Sequence, residues 1–149
     1  MRIRLKYFIF LTATMLSGCI RDYYNSAKFI IDNNSSHKIR LTSESSERWR
    51  NNRVDVTVMP NESYKSDKIV EEAVGLENFI GEKVLVIFDD ETEFVYMRKT
   101  YNGEFLENNI CYDDCWNIHS TSKHSKEWLF SFTDEDYERA VAANAESGK

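Results

Sequence analysis

Val84, Leu85, Val86, Ile87 and Phe88 follow one another without a polar interruption, and that run sets the terms for the fold. It is too short for a helix and too apolar for the edge of a sheet, so Lys83 to Phe88 is expected to be a central strand. Asp89-Asp90-Glu91-Thr92 supplies turn residues, and Glu93 to Lys99 then alternates Phe94, Tyr96 and Arg98 against Val95 and Met97. These two segments predict a hairpin. Arg53 to Met59 sets Val54, Val56 and Val58 on one face and Asp55 and Thr57 on the other, a half-buried strand ended by Pro60-Asn61-Glu62-Ser63. Lys28 to Asp32 and His37 to Thr42 flank Asn33-Asn34-Ser35-Ser36. Asn and Ser bond their own backbone in turns, so this pair also reads as a hairpin. Glu127 to Thr133 presents Trp128, Phe130 and Phe132 on one face as a last strand.

Short strands at this spacing predict an all-β domain, an antiparallel β-sandwich of Ig-like or related type, or a barrel. Ile69 to Val74 fits a helical stripe that Gly75 stops after about one turn, and it is left unassigned. Thr133-Asp134-Glu135-Asp136 has capping-box form and predicts a short C-terminal helix. In that helix Glu135 and Arg139 stand four apart, and Tyr137 and Val141 share a face.

The N-terminus carries a different kind of signal. Arg2, Arg4 and Lys6 precede the apolar stretch Tyr7 to Met15, and Leu16-Ser17-Gly18-Cys19 follows. A cationic flank, a short apolar core and small residues beside a cut make a secretory leader. The segment resembles the lipobox of bacterial lipoproteins. That resemblance implies cleavage between Gly18 and Cys19, with Cys19 alkylated by diacylglycerol and acylated on its new amino group. The expected organisation is a signal peptide over 1–18, a lipidated tether over 19–26, one β domain over 27–143 and a frayed tail over 144–149. The later chain has no apolar run near the ~20 residues that span a bilayer.

Removing the leader leaves 131 residues, with 16 Lys and Arg against 25 Asp and Glu, a formal charge of −9. Such a balance argues against a nucleic-acid partner and against docking on anionic headgroups, since both need clustered cations. Membrane attachment is therefore assigned to the lipid on Cys19, where two or more acyl chains anchor stably. A monomer is expected.

Cys111, Cys115, His119 and His124 fall within fourteen positions. Zinc accepts two thiolates and two imidazoles, but its structural sites usually hold a long folded insert between the pairs, and here three residues separate them. An extracytoplasmic compartment favours oxidation, so a Cys111–Cys115 disulfide is the preferred reading, and no metal or other cofactor is expected. The acidic runs Asp89 to Glu93 and Asp113-Asp114 lack the spacing of a calcium loop and read as turn tips. No Gly-x-Ser-x-Gly motif occurs. His37 reads as a surface or half-buried side chain and Trp128 as core; of a carbohydrate-stacking set with Trp116, Trp49, in a polar run, is the member to suspect of exposure, with packing under that loop as the preferred reading.

Leu16 to Cys19, the stretch Phe29 to Ile39 and the ending Phe130 to Ala140 together are similar to small single-domain lipoproteins of the Bacteroidetes type. The resemblance implies a cell-envelope lipoprotein, and Ile20 after the lipidated cysteine is compatible with outer-membrane sorting, with the membrane face left open. No catalytic constellation emerges, so the expected function is a binding or structural accessory module for an envelope protein or glycan, and not an enzyme. Two alternatives stand beside it: a zinc-dependent or hydrolytic envelope enzyme centred on Cys111, Cys115, His119 and His124, and an inhibitor or immunity-type protein whose acidic surface caps a basic partner.

Overall fold

The computed structural model describes residues 25–44, 54–71, 75–76, 79–81, 83–98 and 108–148. The leader, Gly18, Cys19 and Trp49 lie outside them. The described strands are β1 (Asn25–Asn33), β2 (Ile39–Glu44), β3 (Asp55–Val58), β4 (Ser63–Lys65), β5 (Ile69–Glu71), β6 (Lys83–Phe88), β7 (Thr92–Met97), β8 (Asn117–Ser122) and β9 (Ser125–Phe132). A helix, α1 (Asp134–Glu146), closes the chain. The molecule is thus mostly β, with two sheets rich in antiparallel pairs and one C-terminal helix.

One sheet runs β3-β2-β6-β7, antiparallel throughout. As its unbroken apolar sequence requires, β6 is internal, burying Val84, Val86 and Phe88 on the core side and leaving Leu85 and Ile87 half-covered. The β6–β7 hairpin turns through Asp89 and Asp90, both left-handed at φ 52 and 66. Glu91 N–H donates to Phe88 O at 3.0 Å. Positive φ at both central residues matches the twist of the strands they join, and Asp tolerates that region better than most side chains.

The second sheet runs β4-β1-β9-β8, with β5 also paired to β1. Two expectations fail here. The turn after β1 does not fold back as a hairpin, because β2 belongs to the other sheet. Asn33 makes the corner: fully buried, it donates from Nδ2 to His37 O at 2.7 Å and Val58 O at 3.0 Å, and its Oδ1 accepts from Ser35 Oγ at 2.6 Å. The polar turn residues satisfy one another and free the next strand to cross to the other layer. The sheet is also not purely antiparallel, since β1 and β9 run parallel from Ser26↔Ser125 to Asn33↔Phe132. A parallel pair needs a long crossover, and the strands at the two ends of the domain have the rest of the chain between them.

Ile69–Glu71, the described part of the unassigned segment, forms β5, paired with the first residues of β1. Two further strands gave no sequence signal: β4 is only three residues long, and β8 exposes all six of its residues, as an edge strand can. β1 begins at Asn25, and the helix reaches Glu146.

Side chains from both sheets meet in one core. Phe29 stacks on Phe79 at 4.5 Å, Trp128 lies 5.6 Å from Phe29, and Phe132 meets Phe88 and Tyr96 of the other sheet at 6.4 and 6.2 Å. Offset and edge-on contacts of this kind add about 0.5–1.5 kcal/mol each beyond area burial. The helix joins that core through Asp136, Ala140 and the partly buried Tyr137, while Val141 is exposed.

Arg139 pairs with Asp136 at 3.1 Å, not with Glu135. Asp136 is 1% exposed, and its carboxylate also accepts from Asn108 Nδ2 at 2.7 Å and from Thr133 N–H at 3.0 Å. Burial pushes this carboxyl above its ordinary value despite those donors, and it pushes the nearby Tyr96 phenol up as well. Removing the carboxylate leaves the Asn108, Thr133 and Arg139 donors unmatched. Asp136→Ala is therefore expected to cost about 2–4 kcal/mol in urea unfolding, with Asp136→Asn recovering part; a loss within experimental error for Ala would show that the cluster does not hold the helix.

Candidate functional site

Parallel pairing puts the starts of β1 and β9 side by side, and β5 pairs with the same end of β1. A cleft of about 280 Å³ opens there, lined by Asn25, Ser26, Ala27, Lys123, His124, Ser125, Lys126 and Trp128. Ser26 fixes its wall: its N–H donates to His124 O at 2.8 Å and its Oγ to Ser125 Oγ at 3.1 Å. Trp128 is 6% exposed, and its indole N–H has no hydrogen-bond partner among the described residues. Trp116 differs, since its indole donates to Ile110 O at 2.9 Å.

A second cleft of about 290 Å³ adjoins the first through Ser125 and Lys126 and adds Lys28, Ser66, Asp67, Lys68, Thr121 and Glu127. Ser66 Oγ holds β1 here, accepting from Phe29 N–H at 2.9 Å and donating to Asp67 O at 2.8 Å. The pair of clefts combines hydroxyls and cations, a donor set suited to anionic oxygen ligands.

The thiol and imidazole residues singled out in the sequence are not gathered. Cys111 and Cys115 are not joined to each other in the structure. Cys111 is buried in the core, while Cys115 ends a 3-10 turn (Asp113–Cys115) and its Sγ accepts the Asn109 N–H at 3.3 Å. Burial pushes the Cys111 thiol up to about 12, which keeps it protonated and poorly nucleophilic. His119 lies exposed on β8 and His124 in the turn before β9. Among the described residues no three His, Cys, Asp or Glu side chains are placed to hold a metal. Trp116 and Trp128 are both buried, so neither offers an exposed stacking face.

The opposite end of the molecule is acidic. His37 Nδ1 lies 2.6 Å from Asp89 Oδ2 and its ring stacks on Tyr137 at 3.6 Å. The imidazole contact holds the Asp89 carboxyl below its ordinary value, and donors from Ser36 do the same for Asp134. Lys38 pairs with Asp90. These contacts tie the β1–β2 corner, the β6–β7 turn and the helix start together.

Compared with protein-family models, curated proteins and solved structures, the chain matches none. Sequence reading missed the lysine-bordered clefts because residues 28, 68, 123 and 126 come together only through the β1–β9 and β1–β5 pairings. The contrast between the two buried indoles gives a direct check. Trp116→Phe strands a carbonyl acceptor whereas Trp128→Phe removes an unmatched donor, so the first should cost about 1–2 kcal/mol more than the second in urea unfolding. Equal costs would mean that the Trp128 indole is as well satisfied as that of Trp116.

Proposed function

We propose that this protein is a lipid-anchored lipoprotein of the bacterial cell envelope, held in the outer membrane through Cys19, and that its two sheets form a β-sandwich of Ig-like or related type acting as a binding or structural accessory module. The reading rests on Leu16-Ser17-Gly18-Cys19 behind its cationic and apolar leader. The fold supports it in one respect. Asn25, the first residue of β1, stands six positions after Cys19, so an extended tether holds this end of the domain within about 20 Å of the anchor.

Lipidation precedes cleavage, and Cys19 is the thiol next to the cut. Cys19→Ala is therefore expected to leave a precursor of full length that takes up no lipid. Metabolic labelling with an alkyne fatty acid, read on gels of wild type and variant, tests this. Equal labelling of the two would remove the basis of the assignment.

A further inference from the structure

We infer that the lysine-bordered end of the domain is a seat for the phosphate groups of membrane lipids, so that the domain rests on its membrane with this end down. The inference builds on the lipid anchor proposed above and adds an orientation to it. Three observations carry it.

The first is position. The clefts are formed by Asn25 and Ser26, where the domain begins, by the β8–β9 turn and by the segment before β5. They lie along the first half of β1, the half that follows Cys19 more closely in the chain.

The second is charge. Lys28, Lys68, Lys123, Lys126 and His124 border the two clefts, with Asp67 and Glu127 as the acids among them and Glu71 opposite Asn25 as a third acid at this end. β1 spans about 30 Å, and at its far end stand Asp89, Asp90, Glu91, Asp134 and Glu135, with Lys38 paired to Asp90 and the His37 ring to Asp89. The charge is thus polarised along the strand. A mature chain of formal charge −9 would be repelled by anionic headgroups if its charge were evenly spread, and the fold instead gathers these lysines along the half of β1 that follows the anchor in sequence. Each lysine near such a surface strengthens association about fivefold, and the tether raises the local concentration enough for modest attraction to set orientation.

The third is chemistry. Hydroxyls of Ser26, Ser66, Thr121 and Ser125 stand among the cations, and the Trp128 indole in the first cleft is an N–H without an acceptor among the described residues. Ser26, Ser66 and Thr121 donate their hydroxyl protons within the domain, to Ser125 Oγ, Asp67 O and Ser125 O, so the lysine ammonium groups and the Ser125 hydroxyl are the donors left for a phosphate oxygen. The exposed lysines supply the attraction.

The test uses the lipidated chain, its lipid verified by intact mass, in nanodiscs that carry a gadolinium-chelated headgroup lipid. Backbone amide relaxation is read in neutral phosphatidylcholine and in phosphatidylcholine containing phosphatidylglycerol. With phosphatidylglycerol, amides at 25–28, 68 and 123–126 should relax severalfold faster than those at 89–91, and this difference should shrink in neutral discs and with added salt. The triple variant Lys28→Gln, Lys68→Gln, Lys126→Gln should lose the difference, while Lys38→Gln, Arg40→Gln, Lys65→Gln, with the same change in charge, should keep it. Equal relaxation at both ends, or a difference that survives in the first triple variant, overturns the seat and leaves the anchor standing. Shifts at these amides produced by inorganic phosphate alone, with no orientation on anionic discs, would mark a site for free phosphate and also overturn it. A chain whose mass shows no lipid removes the anchor and the seat together.

Discussion

The parallel pairing of β1 with β9 is the contact on which the rest of the structure depends. It joins residues about a hundred positions apart along eight consecutive partners, from Ser26↔Ser125 to Asn33↔Phe132. Closing so long a loop costs conformational entropy before any contact offsets it. The offset comes from side chains that the register brings onto one face. Phe29 and Ile31 from β1 and Trp128, Phe130 and Phe132 from β9 are all buried in the same cluster. The pairing gives β1 a neighbour on each side, since β4 and β5 cover its other edge. It also brings the two clefts into being and carries the chain to the point where α1 begins.

Around that pair the polar contacts sort into three sets. At one end, Ser26, Ser66 and Ser125 tie the strand starts to backbone and to each other. Asn33 turns β1 into the second sheet at the other end, and His37, Asp89, Tyr137 and Asp134 lock the corner against the helix. Asp136 stands beneath, fully enclosed, and gathers donors from Asn108 and from Thr133 and Arg139 of its own helix start. Enclosed polar groups contribute when satisfied and cost heavily when one partner is lost. The Trp128 indole departs from that rule among the described residues, and it does so where the lysines collect.

How much of this the sequence discloses follows from what each strand needs from its neighbours. The β6–β7 hairpin was legible because both its signals are local: a run of five apolar residues and two Asp residues able to take positive φ. The inner face of β9 was legible too, since Trp128, Phe130 and Phe132 repeat at a spacing of two. Its parallel partner was not, because alternation states which face is buried and says nothing of which strand lies alongside. β8 escaped notice for the opposite reason, being exposed along its whole length and shaped by pairing alone. The turn at Asn33 to Ser36 was read correctly as a turn and wrongly as a hairpin, as Asx chemistry fixes local geometry and leaves the layer of the next strand open. The lysine-bordered clefts follow the same logic, since their members are scattered in sequence and composition alone pointed to an acidic chain.

Because fold, clefts and helix start all follow from the β1–β9 pair, native-state hydrogen exchange of the whole protein tests the account most directly. Amides of Ala27 to Asn33 and of Trp128 to Phe132 should form the slowest class and open together, at a free energy close to that of global unfolding. Those of the short strands β4 and β5 and of the edge strand β8 should exchange earlier. Exchange of the β1 amides along with β4 and β5, while β9 stays protected, would contradict the account, for it would mean that β1 can leave the sheet without taking the fold with it.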